Sequence, residues 1–254
     1  MPVHFLGLRD AATLDTAQFQ LAGRIIDDLI DYSATGVIHG PAGVGKTFAV
    51  DAHLERLRED GKHRVITCSL AFPSKPTMRR VAAELFTALT GGAPPRSHSR
   101  FHLVSHLVGL LAGPRRLVCI DEAQRLNSDC IELLRHLHDH HDTRFALLYV
   151  GGDGCWEVLS REPMLRSRVF RRLPFKALPA AQVPQLMRGY HPIYADADEQ
   201  LLLDINDFYA HGTLRDWAAF THTAAALCRQ SGRTRLDEAV LANAYTLLGG
   251  GPDD

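Results

Sequence analysis

Eight residues, "GPAGVGKT" from Gly40 to Thr47, stand between a short apolar run and a helical one. Their spacing is G-x-x-x-x-G-K-[ST]. Glycines in such a loop let backbone N–H groups curl around an anion, and the helix that follows adds favourable potential at its start. Gly40, Pro41, Ala42, Gly43, Val44 and Gly45 would form the cradle. Lys46 would neutralise the β- and γ-phosphates of a nucleotide, and Thr47 would place its hydroxyl on Mg²⁺. The lysine is informative because the chain holds only 4 lysines against 24 arginines. The expected ligands are ATP and Mg²⁺.

A second stretch, "LVCIDEAQRL" from Leu117 to Leu126, is an apolar run that ends in two adjacent carboxylates. Burying charge costs several kcal/mol unless a partner compensates. A divalent cation resolves the conflict: Asp121, at the end of a strand, would hold the Mg²⁺. Glu122 leaves the strand with its side chain redirected, where it can polarise a water that attacks the γ-phosphate. Two acids in this order predict hydrolysis rather than nucleotide binding alone. The letters DEAQ also occur in two-lobed helicases, but the residues after 180 read as helical and offer no second α/β lobe. A third cluster, "HLHDHH", puts His136 and His140 at helical spacing. It implies no third ligand, and histidines are favourable near a helix C-terminus in any case. No metal site is predicted there.

These residues need elements to hold them. "GVIHG", "HRVITCSL", "RRLVCIDE", "FALLYVGG" and "RVFRRLPF" read as strands. Between them lie helical segments, among them "DTAQFQLAGRIIDDLIDY" with Asp15 as its N-cap, "TMRRVAAELFTALTG" and "SDCIELLRHLHDHH". Apolar strands alternating with helices predict an α/β fold, a parallel sheet sandwiched by helices. After Pro179 the strand signals stop and four helical segments follow. The expected division is therefore residues 1–178, an α/β nucleotide-binding domain with an N-terminal helical segment, and 179–254, a small all-α lid.

Hydrophobic residues make up 46% of the 254, and charged residues 22%, the balance of a globular core. No apolar stretch approaches the ~18 residues of a membrane span. The start lacks the pattern of a secretory signal, and five scattered cysteines without a CxxC pair fit a reducing compartment. The expected location is the cytoplasm. Net charge is −1, yet the charges are unevenly spread. Arg161 to Lys176 and Ala71 to His102 are basic, whereas Tyr190 to Leu214 carries acids only. A neutral chain can present basic faces.

The phosphate loop, "CIDEAQ", the fourth strand "LLYVGG", "MLRSRV" and a helical C-terminal segment together resemble the AAA+ ATPases. Within them, "IDEAQRL" and "PSKPTMRRVAAELFTAL" are similar to bacterial transposition regulators of the TnsC, TniB and Mu B type. An ATPase of the secretion-linked ExeA kind shares the DEAQ and is the alternative: a protein-remodelling or signalling ATPase that does not bind DNA. The resemblance implies a homo-oligomer, ring or filament, that binds duplex DNA without sequence preference. It also implies a transposase or other recombination protein as partner. It implies an arginine finger in "LRSRV", Arg168 first and Arg166 second, and a γ-phosphate sensor at Arg215 in "HGTLRDW". Relatives commonly place Asn at the end of the fourth strand to orient the lytic water. Here Gly152 stands in that place, with Asp153 next to it as a substitute. Lys75, Arg79 and Arg80 are the first candidates for phosphate contacts with DNA, with Arg96 and Arg100 behind them.

Overall fold

Five apolar runs form β1 (Thr35–His39), β2 (Ile66–Ala71), β3 (Arg116–Asp121), β4 (Phe145–Gly151) and β5 (Val169–Pro174). They pair in parallel as one sheet in the order β2-β3-β4-β1-β5. The computed structural model describes residues 5–59, 66–94 and 100–249. His63 to Val65, expected to open the second strand, and Arg96 lie outside them, as do the side chains of Arg100 and Phe101. Every residue of β4 is buried, and β3 is buried up to Ile120. Burial on both faces is what a near-continuous apolar run requires. β5 lies at an edge, and its exposed Phe170, Arg171 and Arg172 reflect that place.

The chain folds as two compact units. The first contains 20–40 and 49–175, and therefore the whole sheet. Side chains alternate across a strand, and one face presents Val37, Val118, Ile120, Leu147 and Tyr149. They pack with residues of α3 (Met78–Thr90), α4 (Arg100–Leu111) and α5 (Ser128–Asp139), including Val81, Leu85, Leu107 and Leu134. α1 (Ala17–Tyr32) buries Ala22, Ile26, Leu29 and Ile30, and Leu29 lies against Gly36 of β1. Its cap is Thr16, whose hydroxyl accepts the Phe19 N–H at 3.1 Å, one residue later than the expected Asp15. α2 spans Lys46–Glu59, and the short α6 (Cys155–Ser160) and α7 (Pro163–Arg166) follow β4. Thr77 and Asn127 cap α3 and α5 through their side chains, and Gly91 ends α3 in the left-handed conformation.

The second unit contains the chain up to Phe19, Pro41–Phe48 and the residues from Lys176 onward. Its helices are α8 (Val183–Tyr190), α9 (Glu199–Ile205), α10 (Leu214–Gln230) and α11 (Glu238–Leu248). Their core is built on Trp217, Tyr194 and Phe220, with Leu8 of the N-terminal segment packed into it. The Tyr194 hydroxyl is paired with that of Thr221 at 2.9 Å. The expected fold, a helix-flanked parallel sheet followed by C-terminal helices, is the one observed. The five cysteines are buried and form no disulfide. No described helix is long and apolar enough to cross a membrane.

Candidate active site

In the helical unit, the phosphate loop lies directly on the start of α10. Gly43 and Gly45 take φ of 78° and 92°, which side chains rarely adopt. A Cβ on Gly43 would also stand 2.5 Å from Thr213 Cγ2, and one on Gly45 2.9 Å from Leu214 Cδ1. The Arg215 N–H donates to the Gly43 carbonyl at 2.9 Å. Arg215 reaches this place through an unusual turn. α9 runs into a π-helical turn at Asn206–Ala210, then His211 at φ 46° and Gly212 reverse the chain. The Asn206 amide oxygen accepts the Gly212 N–H at 2.8 Å. Such π-turns often occur at functional sites. Lys46 is buried, and its ammonium donates to the Pro41 carbonyl. Thr47 and Arg215 are exposed.

In the sheet unit, the strand ends share one rim. Asp121 pairs with Ala71, Ile120 with Tyr149, and His39 with Gly151. β1 therefore delivers the chain to the phosphate loop at the same end where β3 delivers Asp121. The Asp121 Oδ1 accepts the Glu122 N–H at 2.8 Å. Glu122 has φ 55°, so the chain turns out of the strand there, as expected of a redirected side chain. Its Oε2 accepts from Gln124 Nε2 at 2.7 Å and lies 3.4 Å from Arg125 Nη2. Gln124 Oε1 in turn accepts the Gly152 N–H at 2.9 Å. Asp153 is exposed, and it is Gln124 that joins the end of β4 to Glu122. Asp51 on α2 adds a further carboxylate. Burial pushes its pKa up, and the charge of Asp121 pushes it further. Two acids in range of one another are the setting that a cation relieves.

Reading residues in sequence missed Asp51 and Gln124. The signal for Asp51 was its place four residues after Thr47, one helical turn on. Gln124 was visible only as a letter of DEAQ.

Arg168 donates to Asp139 at 2.9 Å and to the Met164 carbonyl, and Asp139 also pairs with Arg135. Arg166 is exposed at the end of α7. Lys75, Arg79 and Arg80 are exposed at the amino end of α3, with Arg80 3.8 Å from Glu84. Among the described residues, His140, His141 and Asp142 have ligand atoms within 4.8 Å of one another, a grouping that does not include His136.

A family model described as an AAA domain matches residues 30–159. A potential ATP-binding protein of Staphylococcus aureus is 23% identical over 180 residues, 61% of this chain and 64% of that protein. The chain thus spans less than two thirds of that relative's length. The Aeropyrum pernix ORC2 protein in its ADPNP-ADP complexes superposes with a TM-score of 0.69 at 19% identity, covering 93% of this chain and 69% of that one. The Aeropyrum pernix ORC1 protein in complex with DNA gives 0.68 at 16% identity, covering 94% and 66%. At these identities the likeness is one of fold.

Proposed function

The chain belongs to the AAA domain family, and from that premise we propose that it is a Mg²⁺-dependent ATPase. We further propose that it assembles as an oligomer on duplex DNA and regulates transposition. One observation carries the ATPase reading: on a single rim of the sheet, β1 runs into "GPAGVGKT" and β3 ends in Asp121 and Glu122. Ligands of open parallel sheets bind outside the carboxyl ends of the strands.

The residues fit the ligands. Left-handed glycines aim backbone N–H groups at phosphate oxygens, and Lys46 supplies a positive charge. The Thr47 hydroxyl and the Asp121 carboxylate are oxygen donors of the kind a hard cation takes. Bound Mg²⁺ would offset charge on the β- and γ-phosphates. Glu122 accepts a proton from water as the water oxygen attacks the γ-phosphorus. The bond from that phosphorus to the bridging oxygen breaks, ADP leaves with the electron pair, and inorganic phosphate is formed. Arg215 contacts the γ-phosphate and registers its loss.

The DNA reading is supported by the exposed Lys75, Arg79 and Arg80 and by the resemblance of "IDEAQRL" and "PSKPTMRRVAAELFTAL" to transposition regulators. A protein of the same fold, the Aeropyrum pernix ORC1 protein, has a structure in complex with DNA.

The Glu122→Gln variant tests both parts. It should bind a fluorescent ATP analogue, release no phosphate, and stay on a labelled mixed-sequence duplex in the presence of ATP. Steady turnover by this variant would move the base elsewhere. Absence of ATP-dependent duplex binding by the wild type at low salt would leave the ATPase but remove the transposition reading.

A further inference from the structure

Resting on the reading of Glu122 as the base, we propose that Gln124 is the positioning residue for its carboxylate. Its amide fills the place that the glycine pair ending β4 leaves open. Gln124 Oε1 accepts the Gly152 N–H at 2.9 Å. A backbone N–H can only donate, so this contact fixes which way the amide faces. The NH₂ end must point at Glu122, where it donates to Oε2 at 2.7 Å.

The second donor near Oε2 is itself anchored. Arg125 Nη2 lies 3.4 Å from it, while Arg125 Nη1 donates to the Phe72 carbonyl at 2.8 Å. One carboxylate oxygen is thus held from two sides. Oε1 carries no hydrogen bond among the described residues and is the oxygen left to take a proton from water.

Space explains why this device needs glycine. A Cβ at Gly151 would lie 2.4 Å from Cys155 Sγ and 2.5 Å from Gln124 Oε1, and one at Gly152 3.3 Å from Gln124 Nε2. The contacts at Gly151 are impossible without a shift, and the one at Gly152 is tight. A side chain at position 152 and the amide of Gln124 therefore compete for one space, and the amide would have to shift by a few tenths of an ångström to admit it. Gly152 is not in a left-handed conformation, so a side chain there meets only this contact.

The test is steady-state ATP hydrolysis by the full chain. Losing a hydrogen bond to a charged group corresponds to a fall of roughly ten- to a hundredfold in kcat for Gln124→Ala. KM should stay within about twofold, because ground-state binding is untouched. Gln124→Glu keeps the size but sets a carboxylate beside Glu122. That raises the pKa of the base, so the acid limb of the kcat profile moves to higher pH. Gly152→Asn should lower kcat in the wild type and cost less in the Gln124→Ala background, since the two changes act on one contact. Wild-type kcat and an unshifted pH profile in both Gln124 variants would overturn the proposal. Turnover by Glu122→Gln would instead show that the reading of Glu122 had failed, and the proposal with it.

Discussion

Arg166 and Arg168 differ in what holds them. Arg168 is tied to Asp139, and Asp139 to Arg135, which also pairs with Glu132. An arginine that completes a neighbour's site has to be available to that neighbour. Arg166, exposed and outside this network, meets the requirement better, and the finger role is proposed for it. Arg166→Ala should remove the rise of specific ATPase rate with protein concentration. A finger supplied in trans contributes a factor of ~10³–10⁵ where it operates. Arg168→Ala should keep that rise and lose about 1 kcal/mol of stability or less, as partly exposed ion pairs do. Rate measured against concentration checks the first, and a urea melt the second. A flat rate for Arg168→Ala would return the role to it. The segment "LRSRV" was legible in the sequence, but which arginine is held was not, because Asp139 lies 29 residues before Arg168. The contact between Gln124 and Gly152 was hidden for the same reason, spanning 28 residues.

Elements were more legible than contacts. α3 begins and ends where Thr77 and Gly91 punctuate the sequence, and β3 stops at the acid that breaks its apolar run. One of the four helical segments expected after Pro179, "DEQLLLDINDFY", is helical throughout but changes type along its length. α9 runs on into a π-turn, and the Asn206 side chain takes the N–H of Gly212, six residues on, a contact that no periodicity announces. The amino end of α3 carries the DNA prediction. Lys75, Arg79 and Arg80 are exposed there, away from the phosphate loop in sequence. The triple alanine variant should bind duplex more weakly for every sequence alike. Each lost phosphate contact should also reduce the slope of log K against log salt by about 0.9. Arg80 contributes least if Glu84 keeps it. Anisotropy across a salt series with an ATP analogue reads the slope. An unchanged slope would take the interface off α3.

At the scale of the whole molecule, the alternation of strands and helices was enough to predict the sheet and the helical C-terminal segment. It could not show that the N-terminal segment packs with those helices. That rests on pairings such as the Ala12 N–H with the Tyr190 carbonyl, far apart in the chain. Each unit contains a histidine that burial holds below its ordinary pKa of 6.5: His138 in the sheet unit and His191 in the helical one. His191 is buried, and its Nδ1 accepts the Ile193 N–H at 3.3 Å, which a protonated ring nitrogen cannot do. In the unfolded chain both rings take a proton as pH falls through 6.5, while in the folded chain they resist. The unfolded state then binds more protons, so stability is full above 6.5 and is lost as pH falls through the lower folded values. Asp51 and Asp216, whose pKa values burial raises, act in the opposite direction from 3.8 upward, so single substitutions are needed to isolate the histidines. His191→Asn keeps an acceptor for the Ile193 N–H and does not titrate. Trp217, fully buried in the helical unit, and Trp156, in the sheet unit, can report each melt when the other is replaced by Phe. Urea midpoints of the helical unit should fall as pH drops below 6.5 in the wild type and fall less steeply in His191→Asn. Equal slopes would mean that His191 protonates in the folded state as readily as in the unfolded one.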